Sequence, residues 1–125
     1  MADGPHTGAK GTSEAWDRVL RVLAARPRRS IVTALLDAPD ETSLPVSAAV
    51  DIPSDQEGNT KYLIELMHCH LPTLAEHRYV SWQEDPFSVT RGPQFAEIGG
   101  VVRALRAGAV ELPESLANDI QAVSR

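Results

Sequence analysis

At 125 residues, 42% of them hydrophobic, the chain has the size of one compact domain and is short for two. It has no run of about 18 apolar residues, and its polar start MADGPHTGAKGTSE lacks the apolar centre of a signal peptide, so the expectation is a cytoplasmic protein that makes no membrane contact. A net charge of −5 argues against indiscriminate binding to a polyanion, which clustered Lys and Arg drive by releasing counterions.

Residues 1–12 are small and polar with no apolar periodicity, and the expectation there is a disordered N-terminal tail. Ser13 can cap a first helix that places Trp16, Val19, Leu20 and Leu23 on one face. Pro27 suits the opening of a second helix, where Ile31, Val32, Leu35 and Leu36 continue an apolar stripe until Ala38-Pro39-Asp40 stops it. Pro45 favours a short helix of about two turns with Val46, Ala49 and Val50 inward. The run DIPSDQEGN reads as an exposed loop, with Asn59 or Thr60 capping the next helix. From Lys61 onward Leu63, Leu66, Met67, His70, Leu71 and Leu74 form the strongest helical stripe of the chain. Pro72 lies inside it and should kink or tighten the helix near His68.

The period then changes to alternation: Val80 and Trp82, then Phe87 and Val89 beyond Glu84-Asp85-Pro86, predict a β-hairpin. Pro93 opens a helix with Phe95, Ile98, Val102 and Leu105 on one face, and its Gly99-Gly100 pair would allow close helix contact. Leu116, Ile120 and Val123 suffice for a short amphipathic helix in the tail. The expected organisation is a tail over 1–12, a domain over 13–106, and a C-terminal tail over 107–125. Three helices followed by a two-stranded hairpin and a further helix is the order of a winged helix-turn-helix, a mainly α (α+β) fold.

The segment LIELMHCHLPTLAEHRYVSW sharpens this expectation. His68, His70, Leu71, Pro72 and Leu74, with Val80 and Trp82 in the strand beyond, resemble the His-x-His-Leu-Pro-x-Leu hallmark of an uncharacterised haloarchaeal winged-helix family. The likeness covers roughly residues 16–92, taking in the Arg-Pro-Arg-Arg run at 26–29. It implies a winged-helix fold and a role in transcription. That family commonly carries a small residue or glycine where this chain has His77-Arg78. The bias to arginine, with Lys10 and Lys61 the only lysines, suits a protein of salt-loving cells and equally one from a GC-rich genome.

Charge is segregated along the chain. Residues 14–36 carry five arginines against Glu14 and Asp17, whereas 37–60 hold six acids and no base. The exposed side of the third long helix should offer Thr60, Lys61, Glu65 and His68 to base edges, with Arg26, Arg28 and Arg29 on phosphates of double-stranded DNA. A homodimer through the helix at 93–106 would pair two half-sites. The rival reading is a protein-interaction winged helix, which the acidic Glu84-Asp85 tip of the hairpin favours. His68, Cys69, His70 and His77 are badly spaced for one zinc ion, and His70 reads as a core histidine bonded to nearby backbone. No nucleophile-base pair or phosphate loop is legible, so neither an enzyme nor a cofactor is expected.

Overall fold

The computed structural model describes residues 3–122, and side chains over 11–120. Helix α1 spans Asp3–Val22, so the segment expected to be a disordered tail is helical from Asp3, and Ser13 lies inside the helix rather than at its cap. Propagation explains the extension. Once the C-terminal end is packed, each further residue adds one backbone bond, and Pro5 falls in the first turn, where its missing N–H costs nothing. The rotation of α1 also differs from expectation. Val19, Val22 and Leu23 are buried, while Trp16 and Leu20 stay 50% and 57% exposed. Arg18 fixes this turn of the helix by reaching Glu97 and Tyr79.

Helix α2, Arg26–Asp37, starts with Pro27 in its first turn and buries Ile31, Val32 and Leu35 as expected. Strand β1 follows at Leu44–Pro45, and α3, Val46–Ala49, is a single turn burying Val46 and Ala49. Helix α4, Gln56–Glu65, starts earlier than expected. Its cap is Asp55, whose carboxylate accepts from the Gly58 N–H at 2.8 Å, so part of the expected loop is helical. The chain passes through a π-helical turn, Leu66–His70, into α5, Leu71–Glu76. Pro72 thus perturbs the helix where expected, but by widening rather than tightening it. The Leu71 N–H reaches back five residues to the Leu66 carbonyl, and a proline next to it offers no N–H to the His68 carbonyl.

Arg78 ends this helix in the left-handed conformation, φ 63°, at the position where a glycine or small residue would be ordinary. The Tyr79 N–H bonds back to the Leu74 carbonyl at 3.0 Å and the Arg78 N–H to the Ala75 carbonyl at 2.9 Å, satisfying the helix end. The hairpin is β2, Val80–Glu84, against β3, Phe87–Arg91, with Trp82 opposite Val89. The sheet has a third member that periodicity does not announce: β1 pairs antiparallel with β3, Leu44 opposite Val89, to give the order β1-β3-β2.

Helix α6, Phe95–Ala107, packs on α2 through Phe95, Ile98, Gly99 and Val102. Of the expected stripe Phe95, Ile98 and Val102 are buried inside the chain, whereas Leu105 is 38% exposed. Of the glycine pair, Gly99 makes the close contact: a Cβ there would lie 2.8 Å from Phe95 Cε2 and 3.2 Å from Leu36 Cδ2, whereas one on Gly100 would meet nothing. Arg91 ties the root of the hairpin to the end of α2. Its guanidinium donates to the carbonyls of Leu35, Leu36 and Ala38 at 2.9, 3.4 and 3.1 Å and lies over the Phe95 ring. Helix α7, Glu114–Ala122, makes the C-terminal tail helical and buries Ile120, while Leu116 is exposed. Val123 lies outside the described residues. The fold is thus mainly helical with one small antiparallel sheet, and no described helix is long and apolar enough to cross a membrane.

Candidate nucleic-acid interface

Helix α4 buries none of its residues. One side leans inward through half-buried Tyr62 and Leu63, which pack against the core. Burial pushes the Tyr62 phenol up from its ordinary range, and Asp51 adds to this against the opposing field of Arg26. The other side is open, and Gln56, Glu57, Thr60, Lys61, Ile64 and Glu65 line a shallow apolar depression along it. Thr60, Lys61 and Glu65, expected from helical spacing, therefore share one accessible face. Gln56 and Glu57 belong with them and were missed because the loop reading of 51–59 hid the first turn of the helix; Ile64 also belongs there, passed over although it lies on the predicted helix. The Asp55-to-Gly58 spacing was the signal that could have found it. Ile64 is 53% exposed, an unusual state for isoleucine on an otherwise polar face. His68 is exposed on the π turn beyond this face, with Cys69 beside it.

The arginine cluster is engaged elsewhere. Arg28 Nε donates to the Val22 carbonyl at 2.7 Å, and its Nη1 lies 3.0 Å from His70 Nδ1. Arg29 Nη1 donates to the Leu23 carbonyl at 2.7 Å, and its Nε to Asp119 at 3.2 Å. Both side chains therefore close the C-terminal end of α1, where helix carbonyls lack intrahelical partners, and Arg29 also fastens α7. The hydrogen bonds of both arginines are thus spent inside the chain, where the expectation had them on phosphates, and Arg29 has its acidic partner, Asp119, on α7. Arg26 differs: it is 64% exposed and only loosely paired with Asp119 at 3.5 Å. His70 is half-buried rather than in the core, and its partner is the Arg28 guanidinium, not backbone.

A second polar cluster joins Arg18 of α1, Tyr79 before β2 and Glu97 of α6. The Tyr79 hydroxyl donates to Glu97 Oε1 at 2.6 Å, and Arg18 Nη2 contacts both oxygens of that carboxylate at 3.1 Å. Burial, then the bond to Glu97, pushes the Tyr79 phenol up to about 12. The same Tyr79 bond, ahead of Arg18, holds the Glu97 carboxyl below its ordinary range. These groups bond one another and clasp α1 to α6 and to the residue that leads into β2. Among the described residues no group of three or more His, Cys, Asp or Glu is placed to hold a metal ion.

The class defined by these observations is an α+β domain with a three-stranded antiparallel sheet and a mixed-charge helix that buries none of its residues. No family model, no curated protein and no solved structure matches the chain.

Proposed function

We propose that the chain is a winged-helix domain acting as a transcription regulator, with α4 as the helix that enters the major groove of double-stranded DNA and β2–β3 as the wing. The observation that carries this reading is the order α2, β1, α3, α4–α5, β2, β3, with β1 closing the sheet beside β3 and α4 left uncovered. The His68-x-His70-Leu71-Pro72 likeness to the haloarchaeal family supports it. The structural use of those residues also makes sense of the motif: His70 meets Arg28, Leu71 and Leu74 are fully buried, and Pro72 sets the π turn.

On this reading Lys61 and Thr60 address base edges or phosphates, and Glu65 accepts from a cytosine amine. His68 extends the same surface, and Arg26 can exchange its weak tie to Asp119 for a phosphate. A second copy would have to dock through Leu105, Val110 and Leu116, the apolar side chains left exposed on and beyond α6.

The second reading, a winged helix that binds protein, is favoured by the charge of the open face. Lys61 is its one base between Glu57 and Glu65, Ile64 is exposed at its centre, and Glu84 and Asp85 sit exposed at the wing tip. One experiment separates the two: enrich duplexes from a random pool, then measure anisotropy of the enriched and a scrambled duplex across a salt series. DNA recognition predicts preference for the enriched duplex and a salt slope that falls by about 0.9 in Lys61→Ala. Equal and feeble binding to both duplexes would replace it with the protein-binding reading.

A further inference from the structure

The contact between Arg28 and His70 constrains the histidine chemically. Guanidinium can only donate, so with Nη1 at 3.0 Å the ring nitrogen Nδ1 must accept, which leaves His70 neutral with its proton on Nε2. A proton on Nδ1 would remove the acceptor and set two cations against each other. The position gives this leverage. His70 is the last residue of the π turn, and Arg28 is bonded at the same time to the Val22 and Arg21 carbonyls at the end of α1, at 2.7 and 3.4 Å. One side chain thus joins the α1–α2 junction to the middle of the long α4–α5 helix.

We propose that this contact is a proton-sensitive latch: protonation of His70 frees Arg28 and uncouples the α4–α5 helix from the α1–α2 junction. The groups acting on the ring are few. Helix α2 presents Arg28, α4 presents Glu65, and α5 brings only Glu76 at its far end, with Cys69 adjacent in the turn itself. Burial first and Arg28 second pull the ring below its ordinary 6.5, and Glu65 opposes them weakly. The unfolded chain therefore takes up the proton more readily. Stability is full above about pH 6.5, falls as pH drops below it, and levels off once the folded ring is protonated too. The latch operates whatever α4 binds.

The test is an NMR titration of the full chain that follows the His70 ring and the Arg28 Nε–H together. The expected result is one shared midpoint below 6.5, the ordinary value. His70→Gln, which keeps an acceptor that cannot titrate, should leave the Arg28 signal flat over the same range. Arg28→Met should raise the His70 midpoint toward the ordinary value. A His70 midpoint at or above the ordinary value, or an Arg28 signal that does not follow the ring, overturns the latch. Should Arg28→Met fail to fold, the wild type and His70→Gln decide by themselves.

Discussion

Replacing Arg29 with alanine separates a structural arginine from a DNA-binding one. The side chain is 27% exposed and makes two contacts, a 2.7 Å bond to the Leu23 carbonyl and a 3.2 Å ion pair with Asp119. A charged donor on a helix-end carbonyl is worth about 1.5–2 kcal/mol. The partly exposed ion pair adds about 0.5 kcal/mol. Arg29→Ala should therefore lower stability by about 2 kcal/mol, which for a urea dependence of about 1–2 kcal/mol per M moves the midpoint down by roughly 1–2 M. The thermal midpoint should drop by about 8 °C for a domain of this size. Asp119→Asn, which loses the ion pair but leaves the carbonyl bond, should cost only about 0.5 kcal/mol. Equilibrium urea unfolding gives both numbers, and anisotropy on a duplex at permissive temperature gives the complementary one. A variant with an unchanged midpoint but weakened duplex binding would refute the assignment and return Arg29 to the phosphates.

Three further outcomes are expected. Gly100→Ala should stabilise the protein by about 1 kcal/mol because its Cβ meets nothing, while Gly99→Ala should destabilise it despite the same gain in helix propensity, since the added Cβ lies 2.8 Å from the buried Phe95 ring; thermal unfolding of the pair checks both signs. Glu97, whose carboxyl is held below its ordinary 4.5, contributes stability that is complete above that value and is lost as pH falls through the lower folded value. Glu97→Gln should accordingly be less stable at neutral pH and show a flatter stability profile below pH 4.5, as urea midpoints across an acid series would reveal.

Periodicity made the long elements legible because burial writes it directly: Ile31, Val32 and Leu35 on α2, Leu66, Leu71 and Leu74 across the π turn, and Val80 and Val89 in the hairpin are all core residues. One element too short to carry a period escaped. Strand β1 is two residues, Leu44 and Pro45, and exists only because β3 lies beside it. On α1 the sequence offered Trp16 and Leu20 for burial as readily as Val22, and the distant partners of Arg18 decide between the two rotations. The candidate site was half legible. Thr60, Lys61 and Glu65 share a face because helical spacing dictates it. Arg28 and Arg29 resemble a phosphate clamp in sequence, and only their placement over the end of α1 reveals that their hydrogen bonds are already used.

Arg28, Arg29 and Arg91 share a habit with consequences for the solvent this protein tolerates. Each lays a planar, five-donor head on main-chain oxygens at the end of a helix, a geometry that a lysine's compact ammonium would reproduce poorly. Such bonds are short and partly shielded, so dissolved ions weaken them far less than they weaken exposed charge pairs such as Arg26 with Asp119. A fold joined at its helix ends in this way should keep its shape in concentrated brine, where attraction between loosely held surface ions has largely been screened out.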